Sequence, residues 1–134
     1  MLGFHHIGLR CADTERTLRF YLEAFEDAKV VYSFTGGNGR EYYMVDIGKG
    51  AVIELLPLGL DGEEASSRWA HVAIRCDDAR GDYDRLLRAG AAIQSPLEEK
   101  TLAGEPPCPF YSAFLYGPEG EIIELFQPIG DVDW

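Results

Sequence analysis

The sequence is poor in basic residues, and this shortage limits the kinds of partner it can have. Twelve lysines and arginines stand against 23 aspartates and glutamates in 134 residues, which gives a formal net charge of −11 at pH 7. A nucleic-acid-binding surface relies on lysine and arginine to neutralise phosphates. We therefore expect no nucleic-acid partner, and the charge gives no indication of binding to a membrane surface.

Long hydrophobic runs are also missing. No apolar stretch approaches the roughly 20 residues that a transmembrane helix needs, and the start, Met-Leu-Gly-Phe-His-His, lacks the basic and apolar regions of a secretory signal. Cysteines are few and odd in number: Cys11 and Cys76 lie in apolar segments, while Cys108 lies in Pro-Pro-Cys-Pro. We expect the first two to be small buried residues of a reducing compartment and Cys108 to lie on an exposed loop. These features predict a cytoplasmic protein without a membrane span.

What the sequence does contain is an internal repeat. The segment His6-Ile-Gly-Leu-Arg-Cys-Ala-Asp13 returns 65 residues later as His71-Val-Ala-Ile-Arg-Cys-Asp-Asp78. The segment Ala51-Val-Ile-Glu-Leu-Leu-Pro57 returns as Glu121-Ile-Ile-Glu-Leu-Phe-Gln127, with Glu54 and Glu124 at matching places. Such self-similarity indicates a duplicated structural unit. A unit of about 60 residues is only marginally stable alone, so we expect the two halves to share one core.

Each half is predicted to form a strand, a helix and three further strands. The fold class is therefore α+β: a single domain over 1–134, built from two tandem βαβββ modules whose curved mixed sheets surround a metal-binding cleft. Module 1 covers about 1–58, a polar, glycine-containing linker about 59–68, module 2 about 69–128 and a tail 129–134.

Local patterns place the elements within these modules. Apolar residues at helical spacing predict a helix over 14–25 that is capped by Asp13, and a second helix capped by Asp77 or Asp78. In module 2 we expect a short strand at 91–94, a loop through Pro96, a second loop over 104–109, and a hairpin that turns at 117–120.

The repeated histidines and glutamates point to a metal site. Strand alternation places His6 with Gly8 and Arg10 on one face, and His5 on the other. Each glutamate lies among apolar strand residues, where an unpaired carboxylate would be costly to bury. Two imidazoles and two carboxylates suit a divalent transition metal. We predict that His6, Glu54, His71 and Glu124 bind it. A structural histidine, an ion-paired glutamate, and His5 as the ligand in place of His6 are the alternatives.

From Phe4 to Gln127 the chain resembles the vicinal oxygen chelate superfamily, which includes glyoxalase I, methylmalonyl-CoA epimerase, extradiol dioxygenases and the bleomycin resistance proteins. The resemblance rests on the two histidine segments quoted above, on Val-Ile-Glu-Leu, and on Gly-Pro-Glu-Gly-Glu-Ile-Ile-Glu-Leu. It implies two βαβββ units that curve around a metal-bearing cleft. It also implies Ni, Co or Zn as the metal, with Fe less favoured.

The second ligand position, which is Glu54 in this chain, separates the members of that superfamily. The resemblance implies that extradiol dioxygenases would use positions such as His6, His71 and Glu124 alone, and that epimerases have glutamine where Glu54 stands. The order His, Glu, His, Glu is that of bacterial glyoxalase I. Arg10 matches an arginine that contacts glutathione there. Leu58 stands where an asparagine is expected, and 107–109 offers no cation, so the substrate stays open.

These residues and the resemblance together predict a glyoxalase I-like lyase or isomerase. The reaction would be proton transfer next to a carbonyl through a metal-bound enediolate, on a small oxo or thioester-type substrate. Glu124, with Glu54 facing it, is the predicted base, and Arg10 the predicted contact for an anionic group.

Two other classes stay open. One is an iron-dependent ring-cleaving dioxygenase, and the other is a non-catalytic small-molecule binding or resistance protein of the same fold. A homodimer is expected whether the four ligands come from one chain or from two. The sequence leaves undecided whether the four ligands meet within one chain or across a dimer.

Overall fold

The computed structural model describes residues 1–58, 69–117 and 120–134, and it confirms the repeated order of strand, helix and three strands. The elements are β1 (Gly3–Cys11), α1 (Thr14–Ala24), β2 (Lys29–Thr35), β3 (Glu41–Asp46), β4 (Val52–Pro57), β5 (Trp69–Arg75), α2 (Ala79–Arg88), β6 (Ala92–Leu102), β7 (Cys108–Tyr116) and β8 (Ile122–Pro128). The predicted linker at 59–68 and the middle of the predicted 117–120 turn lie outside the described residues.

Both helices begin at an aspartate cap, as the sequence predicts. The Asp13 carboxylate accepts a hydrogen bond from the Arg16 amide at 3.0 Å, and the Asp78 carboxylate accepts one from the Gly81 amide at 3.0 Å. Each side chain satisfies an amide that has no partner within its helix. Of the two candidates for the second cap, Asp78 is therefore the correct one.

All eight strands form one sheet in the order β2-β3-β4-β1-β5-β8-β7-β6. The two modules join at its centre, where β1 pairs antiparallel with β5. Within each module the first and last strands pair in parallel, β1 with β4 and β5 with β8. The sheet is thus mixed, and the fold is α+β as predicted. The modules share a sheet because neither could cover its inner edge alone.

The sheet curls until its two outer strands approach each other. Phe34 on β2 forms a bridge with Gly104, which follows β6. The Tyr32 hydroxyl donates to the Pro106 carbonyl at 2.7 Å and accepts from the Gly104 amide at 3.1 Å. Since β2 and β6 are at opposite ends of the strand order, these contacts turn the sheet into a half-barrel.

Alternate side chains of each strand face opposite sides of this half-barrel. The two helices cover the convex side through separate clusters, one formed by Cys11, Leu18, Val45, Ile53 and Leu55, the other by Cys76, Ala79, Tyr83, Ala113, Leu115 and Leu125. On the concave side lie Tyr32, Phe34, Met44, Val52 and Cys108, followed by Ala73, Phe110 and Phe126. No helix among the described residues is long and apolar enough to span a membrane.

Two local predictions in module 2 were wrong. Strand β6 runs through Pro96 to Leu102, whereas a strand ending at 94 was expected. Proline is tolerated there because β6 is the edge strand, and its pairing with β7 is irregular on both sides of Pro96. Cys108 is only 4% exposed, because it begins β7 and packs against Tyr32 and Phe34. Cys11 and Cys76 are buried, as expected.

Candidate metal centre

The four predicted ligands come from the four central strands of the sheet. His6 lies on β1, Glu54 on β4, His71 on β5 and Glu124 on β8, and these strands are consecutive in the sheet. Gly8 is the partner of both Glu54 and His71 in the strand register. The four side chains therefore meet within a single chain, which answers the question that the sequence left undecided.

Their ligand atoms are close together. The Nε2 atoms of His6 and His71 lie 3.0 Å apart. The Glu54 Oε2 atom lies 3.2 Å from each of these nitrogens. The Glu124 Oε2 atom lies 3.3 Å from His6 and 3.2 Å from His71. The four side chains are between 1% and 10% exposed, so their charges are largely removed from water.

The donor set fits a divalent metal ion. Zinc binds imidazole nitrogen at about 2.0–2.1 Å, so neighbouring ligands around such an ion are about 3 Å apart. The two imidazoles have this spacing. Of the described residues, His6, His71 and Glu124 form a group whose ligand atoms all lie within 4.8 Å of one another. Glu54 is outside that group of three, and its Oε2 atom lies 3.2 Å from the Nε2 atoms of both imidazoles.

The electrostatics of the cluster without an ion follow from its four members. Burial lowers the pKa of His6 and of His71, but hydrogen bonds with Glu124 and Glu54 outweigh it and raise each pKa to about 9. Burial raises the pKa of Glu124, but His6 and His71 outweigh it and lower that pKa to about 2; the pKa of Glu54 is lowered for the same reasons. The cluster thus holds protons that a metal dication would replace.

A β-bulge places a second histidine beside His6. The register of β1 against β5 passes from Phe4–Ile74 directly to His6–Ala73, so His5 is an extra residue in the strand. A bulge of this kind turns one side chain to the other face. His5 is consequently 5% exposed and faces the cluster, which corrects the prediction that it would lie on the opposite side from His6.

His5 connects His6 to the end of the chain. The Nδ1 atoms of His5 and His6 lie 2.8 Å apart, and the His5 Nε2 atom lies 2.7 Å from the Trp134 main-chain oxygen. Burial, the neighbouring His6 and the Arg75 guanidinium lower the pKa of His5 to about 4. His5 is therefore neutral near pH 7, and its two ring nitrogens face His6 and the Trp134 main-chain oxygen.

The absence of a side chain at Gly8 makes room for His71. A Cβ atom at this position would lie 2.6 Å from the His71 Cε1 atom and 2.8 Å from its Nδ1 atom. The imidazole thus packs directly on the β1 backbone. At the repeat-equivalent position module 2 has Ala73, which is fully buried.

Glu124 has a neighbour that the sequence did not reveal. The Ser112 hydroxyl donates to the Glu124 Oε1 atom at 3.1 Å, and Ser112 is fully buried. This bond holds one carboxylate oxygen while the other faces the two imidazoles. Strand pairing of β7 with β8 brings the two residues together. The sequence around Ser112 alone does not predict this pairing.

A cavity of about 650 Å³ opens beside the cluster. Glu54, His71 and Glu124 form part of its wall, and aromatic side chains, among them Phe34, Tyr42, Phe110 and Phe114, form another part. Arg10 lines the cavity as well, and its guanidinium donates to the Trp69 carbonyl at 3.1 Å. The predicted substrate contact is therefore located where a bound molecule could reach it.

Lys100 is a second cation at this cavity. Its ammonium lies 5.5 Å from the centre of the Phe114 ring. Lys100 is absent from the predicted contacts because the strand was expected to end at 94, before Pro96. The alternation of side chains along the longer strand, in which Gln94, Lys100 and Leu102 line the cavity, could have identified it.

Comparisons with known proteins agree with this architecture. The family model of the Glyoxalase/Bleomycin resistance protein/Dioxygenase superfamily matches residues 3–104. Methylmalonyl-CoA epimerase from Mycobacterium tuberculosis has a similar structure, with a TM-score of 0.73 and 19% identity over 96% of this chain and 89% of that one. No curated protein sequence matches this chain.

Two further solved structures share the fold. One is a variant of Streptomyces coelicolor methylmalonyl-CoA epimerase in complex with 2-nitronate-propionyl-CoA, with a TM-score of 0.69 and 20% identity over 97% of this chain and 99% of that one. The other is the 2,3-dioxygenase LapB from Pseudomonas sp. KL28, with a TM-score of 0.69 and 9% identity over 97% of this chain and 44% of that one. At these identities the likeness extends to the fold alone.

Proposed function

This chain belongs to the glyoxalase/bleomycin resistance protein/dioxygenase superfamily, and from that premise we propose that it is a metal-dependent lyase or isomerase of the glyoxalase I-like kind. It moves a proton at a carbon next to a carbonyl group of a small oxo or thioester-type substrate. The observation that carries this proposal is the meeting of two imidazoles and two carboxylates beside the 650 Å³ cavity, with 3.0 Å between the imidazole nitrogens and 3.2–3.3 Å from each imidazole to each carboxylate.

His6, Glu54, His71 and Glu124 are the proposed ligands of a divalent transition metal, and their nitrogen and oxygen donors suit Ni, Co or Zn. Such an ion acts as a Lewis acid that stabilises negative charge on substrate oxygens. The chain's own contribution is to hold the donors on four adjacent strands, which keeps them in place when substrate enters. The buried setting strengthens the interactions of these charges.

Glu124 is the proposed base. It is ionised at neutral pH, lines the cavity, and keeps its Oε1 atom fixed by Ser112 while its Oε2 atom faces the imidazoles. A carboxylate so placed can take a proton from one carbon and return it to the same or a neighbouring carbon. Glu54 faces the same space and is the proposed partner in this transfer.

Arg10 and Lys100 are the proposed contacts for an anionic group of the substrate. Both line the cavity that Glu124 enters, in a chain with few basic residues. Since solved structures with this fold include methylmalonyl-CoA epimerases, a coenzyme A thioester is one candidate substrate that we propose. A hemithioacetal, the substrate class of glyoxalase I, is the other candidate.

A second candidate function has its own supporting observation. His6, His71 and Glu124 make a group of two imidazoles and one carboxylate, which is a donor set of non-haem iron oxygenases. Glu54 counts against this reading, since it reaches a position that an oxygenase needs to leave open. A non-catalytic small-molecule binding or resistance protein is the third reading, and it predicts stoichiometric binding without turnover.

The general test is proton exchange. The protein is loaded separately with Ni, Co, Zn and Fe(II) and incubated in D₂O with a hemithioacetal, with an α-branched acyl-CoA thioester, and with a catechol under oxygen. Deuterium entry next to the carbonyl, abolished in Glu124→Gln, supports the proposal. Oxygen consumption with the catechol and no deuterium entry would replace it with the oxygenase.

Location and assembly complete the proposal. We place the protein in the cytoplasm as a homodimer. A sedimentation mass of about twice 14.9 kDa is expected, and a mass of one chain would remove the dimer. The four proposed ligands lie within one chain, so the metal site would survive that result.

A further inference from the structure

The His5 ring lies between the cluster and the chain's last described residues. It packs 4.4 Å from the centre of the Phe126 ring and 5.4 Å from that of Trp134. Trp134 in turn stacks on Tyr32 at 4.7 Å. The position of His5 is therefore fixed by packing as well as by its two hydrogen bonds.

The direction of the hydrogen bonds follows from the acceptor at the far end. The Trp134 main-chain oxygen has no hydrogen to donate, so the His5 Nε2 atom must carry one. The Arg75 guanidinium donates to the same oxygen at 3.0 Å, which helps to hold this acceptor in place. A neutral His5 with its hydrogen on Nε2 has a lone pair on Nδ1.

That lone pair determines which nitrogen of His6 carries hydrogen. Because the two Nδ1 atoms lie 2.8 Å apart, the His6 Nδ1–H must donate to His5. A neutral His6 then has its lone pair on Nε2, the atom that faces His71, Glu54 and Glu124. Metal binding requires this lone pair.

We propose that His5 is a positioning residue of the metal site: together with the Trp134 main-chain oxygen it fixes the His6 tautomer and orients its Nε2 atom toward the ion. The inference rests on the proposed metal function. It concerns one half of the site, because the position equivalent to His5 in module 2 is Ala70. The His71 ring is instead placed by its contact with Gly8.

The test compares the zinc and cobalt dissociation constants of three variants by calorimetry. His5→Phe fills the same space without an acceptor, and His5→Gln restores one. Trp134→Phe keeps the main-chain oxygen and an aromatic ring, so it is the matched control. Loss of a residue that orients a metal ligand typically weakens binding about 10–100-fold. We expect a loss of that size in His5→Phe, partial recovery in His5→Gln and little change in Trp134→Phe.

NMR of the histidine ring nitrogens gives a second readout, the tautomer of each ring, which a purely packing role of His5 would leave unchanged. The chain has three histidines, so ¹⁵N-edited NMR of the ring nitrogens can be assigned with single variants. We expect the His5 hydrogen on Nε2 in the metal-free and the zinc-loaded protein, and the His6 hydrogen on Nδ1 once zinc is bound.

Each outcome decides between the two claims. Unchanged zinc affinity in His5→Phe, or a His5 hydrogen on Nδ1, would overturn the positioning role and leave the proposed function in place. Tight, His5-dependent zinc binding without turnover on any substrate would leave the positioning role and overturn the proposed function. A wild-type protein that binds no metal would overturn both.

Discussion

The two modules repeat the same elements and contribute matching candidate ligands, yet they support those side chains by different means. In module 1 a bulge turns His5 toward the cluster, where it contacts His6, while module 2 has Ala70 at that place. In module 2 the buried Ser112 hydroxyl holds Glu124. The duplicated strands thus determine where the four candidate ligands lie. Residues unique to each module, His5 and Ser112, contact His6 and Glu124 and orient them.

The repeated arginines show the same divergence. Arg10 lines the cavity and donates to the Trp69 carbonyl. Arg75, at the equivalent position, donates to the main-chain oxygens of Val132 and Trp134 at 2.8 and 3.0 Å. Arg10 thus lines the cavity, whereas Arg75 binds the C-terminal residues Val132 and Trp134. Equivalent places in the repeat therefore predict where a side chain lies better than they predict its contacts.

The largest effect should separate the two glutamates. Glu124→Gln removes the proposed base, and loss of general base catalysis typically costs about 10²–10⁴-fold in turnover. Glu54→Gln is expected to cost less, since the other carboxylate remains next to Ser112. Turnover on the substrate found by deuterium exchange, at equal metal content, checks this order. A larger loss in Glu54→Gln would transfer the role of the base to module 1.

A second contrast tests the close packing across the module boundary. Gly8→Ala introduces a Cβ atom 2.6 Å from the His71 ring, so the imidazole must move. Misplacement of a site group by about 1 Å can cost on the order of 10²-fold. We expect a comparable loss of metal affinity or turnover. Ala73→Gly, at the equivalent position, should leave metal affinity unchanged and cost about 0.5–1 kcal/mol of stability.

The metal-free protein should respond to pH through both modules. The pKa values of His6 and His71 are raised to about 9 from 6.5, so their stabilising contribution is full below pH 6.5 and is lost as pH rises through 9. Those of Glu54 and Glu124 are lowered from 4.5, so their contribution is full above pH 4.5 and is lost as pH falls through the lowered values, about 2 for Glu124. Denaturant unfolding between pH 2 and 10 measures this.

The matched control is the His71→Ala/Glu124→Ala protein, whose stability should vary less over the same range. Metal binding must displace the histidine protons, so zinc affinity should increase as pH rises toward 9. A pH-independent affinity would contradict the charge state described for the cluster.

The smallest contrast concerns the two arginines. Arg75→Ala removes two partly buried charge-assisted hydrogen bonds, and we expect a loss of about 1.5–3 kcal/mol in the free energy of unfolding. Arg10→Ala loses a solvent-exposed hydrogen bond to the Trp69 carbonyl, so we expect a smaller loss of about 0.5–1.5 kcal/mol and a raised KM. Equal effects of both variants on KM would contradict the division of roles.

Much of this architecture could be predicted from the sequence, because the duplication is detectable as an internal repeat within the single chain. Repeated histidines and glutamates located the four candidate ligands, and helical spacing with aspartate caps located both helices. Strand alternation assumes an unbroken register, so it could not place His5, whose bulge depends on how β1 pairs with β5.

The remaining misses have the same physical origin in long-range contacts. A strand ending at 94 and a loop through Pro96 were expected, but an edge strand tolerates proline. Lys100, which lies on the longer strand and lines the cavity, was therefore not predicted. Trp134 gave no local signal, since its role comes from stacking on Tyr32, far away in sequence. Local patterns indicated the candidate ligands, and tertiary pairing decided which residues surround them.

The most direct test of the central claim is the metal content of the purified protein, measured by plasma mass spectrometry beside the His71→Ala/Glu124→Ala variant after both are exposed to Ni, Co, Zn and Fe(II). We predict one Ni, Co or Zn ion per chain in the wild type and none in the variant. Equal metal content in the two proteins, or none in the wild type after reconstitution, would contradict the assignment of this cluster as the metal centre.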